Sequence, residues 1–238
     1  MRSLGGARQG AEAPAWTAPE RESAGDERWA TFDCYGTLID WNGGIGRELE
    51  RLFGAARAGE LLLTYHELEP QIQREDPTRS YREVMAIALA RLGAPADEQD
   101  ALGQSLPTWK PFPEASAALD EARARGWRLA VLSNTDRYLL DASLARIGVD
   151  FDVSVVASEI GSYKPSPGHW EEFFARSGAD RDRYVHVAAS LFHDIAPATA
   201  LGFRTVWVNR LGEEAEPQPD VELHSLAGLV QHLESIVR

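Results

Sequence analysis

Four motifs in this chain have the residue types and settings that could do chemistry: Asp33 in FDCYGTLID, Ser133 with Asn134 in LSNTD, Lys164 in SYKPSP, and Asp194 in SLFHDI. A carboxylate attacks carbon only if it is ionised and held in line with the reacting centre, and a nearby ammonium favours the ionised form. Lys164 would serve Asp33 in that way. A serine hydroxyl and the backbone N–H groups of a turn can fix an anionic substrate, and Ser133, Thr37 and the N–H groups of Cys34 and Tyr35 are the candidates. Each residue also has a plain structural reading. An Asp before a Gly turn often forms only the turn, Ser133–Asn134 and Asp194 could cap helices, and Lys164 beside Pro165 could be a solvated loop lysine. The thiol of Cys34 reads as packing, because strand alternation turns it away from Asp33 and no Cys–His arrangement is evident.

These residues need elements to hold them. Residues 1–27, rich in Gly, Ala, Pro, Arg and Glu without hydrophobic period, predict a disordered tail. Order is expected from Trp29, where ATFDCYG reads as a strand entering a turn at Gly36. A helix-rich stretch follows to about Pro111; its clearest helix spans Arg79–Leu92, with Tyr81, Val84, Met85, Ala88, Leu89 and Leu92 at helical spacing and Gly93 as stop signal. From Phe112 helices alternate with strands expected at Leu129–Leu132, Val153–Ala157, Tyr184–Ala188 and Arg204–Val208, and a last helix begins after Ser225. That alternation predicts an α/β fold with a doubly wound parallel sheet, whose ligands sit beyond the carboxyl ends of the strands. Asp33, Ser133 and the segment Ser190–Asp194 each follow an apolar strand, and Lys164 lies in the loop after another.

Composition narrows the partners. With 24 Lys and Arg against 37 Asp and Glu, the net charge is −13, and no basic cluster suits a nucleic-acid backbone. No apolar run reaches the roughly 20 residues of a membrane span, and none resembles a secretory signal, so a cytoplasmic protein is expected. The single cysteine excludes an internal disulfide and a thiolate metal cluster. A small-molecule substrate is the remaining expectation.

Taken together, the order and strand-end placement of the four motifs resemble the haloacid dehalogenase superfamily, whose motifs are a nucleophilic Asp, a Ser or Thr, a Lys and an acidic loop. The likeness covers about Trp29–Arg238, and the helical stretch lies where that superfamily carries a small cap. The resemblance therefore implies a Rossmann-like core of residues 28–40 and 112–238 with a helical cap of residues 41–111. Two departures bear on the subclass. Superfamily phosphatases have an acid two residues after the nucleophile, where this chain has Tyr35, and a metal-facing Asp where AASLFHD places Ala189. Neither magnesium nor any other cofactor is expected.

The run from Asp33 to Asp40, D-x-Y-G-T-L-x-D, resembles the first motif of the 2-haloacid dehalogenases in particular. That resemblance implies attack by Asp33 on the halogen-bearing carbon of a short 2-haloacid, an aspartyl ester, and hydrolysis to an inverted 2-hydroxyacid and halide. Asp194 with Ser190 would orient or activate the water, and Asn134 would contact the halide. Family members carry a cap Arg that receives the halide; Thr64 falls at that place here, with Tyr65, His66 and Arg74 nearby. The family's Tyr after the motif Lys is Trp170, and its Ser and Asn in the fourth motif align with Ala189 and Leu191. Trp41, His66 and Trp170 are thus expected near substrate, in a tighter pocket suited to a small halogen such as fluoride. A small-molecule phosphatase and a non-catalytic binding protein on the same scaffold are the alternatives, and an apolar cap face would support a homodimer.

Overall fold

The computed structural model describes residues 27–237, so all but the last residue of the expected tail lies outside the described residues. Strands β1 (Arg28–Phe32), β2 (Trp127–Ser133), β3 (Val153–Val156), β4 (Tyr184–Ala188), β5 (Arg204–Val208) and β6 (Val221–Leu223) form one sheet. Their order is β3-β2-β1-β4-β5-β6, and every neighbouring pair is parallel. Five of these strands, β1 to β5, fall where the sequence predicts them. The sixth was not expected, because three residues with only Leu223 buried make no readable run.

Alternate strand residues feed two separate cores. Ala30, Phe32, Leu129 and Val131 join the larger cluster, whereas Trp29, Ala130, Leu132 and Val155 join a second one. Both faces of the sheet are therefore apolar, as a parallel sheet covered by helices requires.

The chain leaves β1 into α1 (Trp41–Phe53), α2 (Ala55–Glu75), α3 (Tyr81–Arg91), α4 (Ala101–Ser105) and a 3-10 turn at Leu106–Thr108. It returns through α5 (Ala115–Ala124), α6 (Arg137–Ile147), α7 (Ala157–Ile160), α8 (Gly168–Ser177), α9 (Ala196–Ala200) and α10 (Leu229–Ile236). Buried residues of α5, α6 and α10 belong to the larger cluster; those of α8 and α9 belong to the second. The last helix starts later than its periodicity suggests, because Gly228 at φ 75° breaks the run ahead of it. Among the described residues no helix is long and apolar enough to cross a membrane.

Local signals explain how the inserted helices are set. Asp40 caps α1 by accepting from the Gly43 N–H at 2.9 Å. Ser80 and Glu83 form a capping box at α3. A second acceptor reaches that helix start from the sheet side: Asp136 takes the N–H groups of Tyr81 at 2.9 Å and Arg82 at 3.0 Å. Asp136, which follows Ser133 and Asn134, thus caps a helix distant in sequence and makes no side-chain bond to its own helix α6.

Gly44 lies against the buried Trp109, and a Cβ there would come within 2.3 Å of the indole. The Gly44→Ala variant should therefore overpack the junction and lose about 1–3 kcal/mol of stability, read from urea unfolding against the parent.

Candidate active site

The order of strand addition reverses between β1 and β4, and ligands of doubly wound sheets bind outside the carboxyl ends at such a point. A cavity of about 660 Å³ opens there. One wall comes from the sheet loops, with Asp33, Tyr35, Ser133, Asn134, Lys164, Ser190 and Asp194; the other comes from α1–α3, with Trp41, His66, Glu69, Arg74 and Tyr81.

Three buried charges define the floor. Lys164 Nζ donates to Asp33 Oδ1 at 2.9 Å, to Asp194 Oδ1 at 2.6 Å and to the Leu132 carbonyl at 2.8 Å, which uses all three of its protons. Burial alone would lower the lysine's pKa, but the two carboxylates outweigh it and hold the ammonium above its ordinary range. For Asp194 burial acts upward, yet Lys164 and His186 prevail and keep it well below the usual carboxylate range. Asp33 is the group that gives way. Its burial, together with the negative charge of Asp194, pushes it above the ordinary 3.8 despite Lys164 and Thr37.

The remaining expected residues divide by place. The Thr37 hydroxyl donates to Asp33 Oδ2 at 2.8 Å and accepts from the Ala189 N–H at 2.9 Å, so it ties the Asp33 loop to the end of β4. Asn134 exchanges two hydrogen bonds with the Lys164 backbone: its Nδ2 donates to the carbonyl at 3.0 Å and its Oδ1 accepts from the N–H at 2.7 Å. One Nδ2 proton is left for the cavity. The Ser133 hydroxyl lines the cavity, is fully buried and has no partner, while His169 Nε2–H donates to the Ser133 carbonyl at 3.0 Å. Burial pushes His169 down to about 3, so the ring is neutral.

Ser190 caps a π-helical turn, Leu191–Ile195, by accepting from the His193 N–H at 3.0 Å, and that turn carries Asp194 inward. Trp41 and His66 line the cavity and stack on each other with centroids 4.9 Å apart. Thr64 does not line it, whereas Arg74 does.

The Cys34 side chain is enclosed in the larger core, in line with the packing reading of its thiol. One expectation needs correction: Trp170 is absent from the cavity wall, lying on the inward face of α8, buried in the second core, with its ring edge-on to His186 at 5.3 Å.

The donor set does not suit a divalent ion. The Lys164 ammonium fills the space between the carboxylates of Asp33 and Asp194, and Ala189 contributes no oxygen from its side chain. Among the described residues no group of three or more His, Cys, Asp or Glu side chains converges as a metal site.

Residues 28–202 match the family model for haloacid dehalogenase-like hydrolases. The chain belongs to that family. This hydrolase is 30% identical over 217 residues to an (S)-2-haloacid dehalogenase of Pseudomonas sp. (strain YL), covering 86% of this chain and 93% of the relative. It is 27% identical over 199 residues to the (S)-2-haloacid dehalogenase 4A of Burkholderia cepacia, covering 79% and 86% respectively. Its fold is that of the L-2-haloacid dehalogenase from Xanthobacter autotrophicus, with a TM-score of 0.75 at 20% identity over 88% of this chain and 99% of that one.

The reasoning from sequence missed His186, which the hydrolase buries in β4. Its Nε2–H donates to Asp194 Oδ1 at 3.0 Å. Nδ1 then accepts from the Thr31 hydroxyl at 2.7 Å, and Thr31 accepts from the Tyr184 hydroxyl at 2.7 Å, which satisfies every group in the row. The available signal was a polar residue in each of two buried apolar strands, Thr31 and His186. His186→Leu should strip Asp194 of a donor and orphan Thr31, lowering stability by about 1–3 kcal/mol in urea unfolding, while His186→Gln, which restores an N–H, should recover much of it.

Proposed function

We propose that this protein hydrolyses the carbon–halogen bond of short 2-haloacids through an ester on Asp33, without a metal. The observation that carries this reading is the Asp33 carboxylate in the cavity, fixed by Thr37 on one oxygen and balanced by the Lys164 ammonium on the other. The Pseudomonas and Burkholderia relatives are (S)-2-haloacid dehalogenases, which supports the same substrate class. Helices α1–α4, within residues 41–111, serve as the cap over the site.

The haloacid carboxylate accepts from the unpartnered Ser133 hydroxyl and from the turn N–H groups of Cys34 and Tyr35, which presents C2 to Asp33. A carboxylate oxygen of Asp33 attacks C2 opposite the halogen. The C–O bond forms as the carbon–halogen bond breaks, its electron pair leaves on the halide, and the configuration at C2 inverts. Water then adds to Cγ of Asp33, and the Lys164 ammonium steadies the oxyanion that develops. Collapse breaks the bond between Cγ and the ester oxygen. One water proton goes to the hydroxyacid oxygen and the other to solvent, and the water oxygen stays in Asp33. Asp194 orients Lys164 in this scheme. A carboxylate held so acidic, with two donors on one oxygen, is a weak base.

Phosphoester cleavage is disfavoured by the residue that replaces its acid. The Tyr35 hydroxyl bonds to Ser143 Oγ at 3.0 Å, and burial pushes its phenol well above the ordinary range, so it does not protonate an alkoxide.

Purified protein should release halide from chloro-, bromo- and fluoroacetate and from 2-chloropropionate, equally well in EDTA, and Asp33→Asn should abolish release. Phosphate release from a generic ester that EDTA abolishes, without halide release, would overturn the reading. In the kcat/KM profile activity falls as pH drops and Asp33 takes up a proton, and that acid limb should lie above the ordinary aspartate value of 3.8. Lys164→Met should cost about 100-fold or more in kcat, the order seen when a group stabilising developing charge is removed.

A further inference from the structure

In-line displacement sends the halide away from Asp33, toward the wall built by α1, α2 and α3. That wall also carries Gln73 and Arg74, further along α2. Trp41 Nε1–H is already given to the Tyr81 hydroxyl at 2.9 Å. His66, stacked on Trp41, pairs through Nε2 with Asn42 Oδ1 at 2.9 Å, and burial pushes its pKa below the ordinary value. The same wall holds Glu69, which lines the cavity at 7% exposure from the inward stripe of α2 that also holds Leu61, Tyr65 and Ile72. Among the described residues no cation pairs with its carboxyl.

The groups that face Glu69 are Tyr65 on its own helix, Tyr81 on α3, Tyr163 in the segment after α7, and Asp33 across the cavity. Burial pushes the Glu69 pKa up to about 7; Tyr81 opposes this in part, and the Asp33 charge adds to it. The floor already carries one net negative charge, two carboxylates against one ammonium. An arriving haloacid brings another, which favours the neutral form of Glu69 further.

We infer that Glu69 is a catalytic donor of this site: as a neutral carboxylic acid it gives a hydrogen bond to the halide leaving C2, from the wall built by α1–α3. No proton is transferred. The halide departs as the anion and Glu69 keeps its hydrogen, so the stoichiometry of the displacement is unchanged. The bond strengthens as charge builds on the halogen, so it acts in the transition state rather than on bound substrate. It helps most where the charge is most concentrated, which makes Glu69 a determinant of selectivity for light halogens, fluoride first and chloride next. This assignment rests on the haloacid reading.

The test compares kcat/KM against pH for fluoro-, chloro- and bromoacetate in the parent, Glu69→Gln and Glu69→Leu. The parent should lose activity as pH rises through about 7. Glu69→Gln, which keeps an N–H donor and cannot ionise, should lose that alkaline limb. Glu69→Leu should fall for all three substrates, with the fluoro-to-bromo and chloro-to-bromo ratios dropping about 10-fold or more, the scale of a hydrogen bond to a charged group.

A second readout is independent of turnover. The raised pKa of Glu69 contributes stability that is present below 4.5 and lost as pH rises through about 7, so the parent's melting temperature should decline across that window more than that of Glu69→Gln. An alkaline limb that persists in Glu69→Gln, or halide ratios unmoved in a folded Glu69→Leu, would overturn the assignment; if Glu69→Leu does not fold, the limb in Glu69→Gln decides. Asp33-dependent bromide release with either of those results defeats the Glu69 role alone. No halide release from the parent with any substrate defeats the haloacid reading and this inference with it.

Discussion

One ammonium shared by two buried carboxylates governs this molecule. Lys164 has 1% of its side chain exposed, as does Asp194, and it meets both acids without water between them. Such a cluster is a poor stabiliser, since desolvating three charges offsets much of their attraction and well-packed apolar residues could do as well. Its use is chemical. By taking Asp194 as a permanent anion and Lys164 as a permanent cation, the site leaves Asp33 as the carboxylate whose charge is least compensated. A nucleophile in that condition is poorly solvated and held in place, which is the state from which displacement at carbon is fastest.

Much of the surrounding structure keeps that ammonium in register. Asn134, at the end of β2, clamps the Lys164 backbone, and Thr37 binds the nucleophile loop to Ala189 at the end of β4. The π-helical turn after β4 brings Asp194 underneath, and His186 with Thr31 holds it from within the sheet. All these groups sit on strands or at their ends, where backbone pairing leaves little freedom. The helical side is joined to the same frame through Asp136, which caps α3 and so sets Tyr81 beside Glu69. Positioning at both walls therefore traces to the sheet.

The sequence shows elements whose pattern is local. Apolar runs of four to seven residues bounded by Gly and polar clusters mark β2 to β5, and helical spacing marks α3 to within two residues of each end. Asp33 and Ser133 were legible because each sits at the end of such a run, and Lys164 and Asp194 because each lies in the segment that follows one. What escaped depends on contacts between distant segments. Nothing near Asp136 in sequence says that it caps a helix more than fifty residues earlier. His186 reads as a break in an apolar strand until Asp194 is folded against it. Trp170, read by its motif position as a pocket aromatic, is turned into the core by the face of α8 on which it falls. Glu69 was legible in principle, as a carboxyl on the same stripe as Leu61, Tyr65 and Ile72, but its company could equally have been a salt bridge.

The acidity of the whole chain says little about which ligand the cavity admits. The chain's net charge is −13, and at physiological salt exposed charges fade over about 8 Å. The cavity is decided by its own groups. Its floor is negative, its sheet side offers the unpartnered Ser133 hydroxyl, and Arg74 and Arg210 also line it. Arg210 is engaged with Glu114 at 2.8 Å and with the Thr37 carbonyl at 2.9 Å, and so braces the nucleophile loop from behind. Apart from Arg74, an anion held here is met by neutral donors. Neutral donors give less attraction at long range than a guanidinium, but they release product anions more readily, and this reaction makes two anions from one. A site that bound halide through a buried cation would hold it against a floor whose ammonium is already committed. One that grips only while charge is developing discriminates between transition state and product, which is the difference that turnover requires.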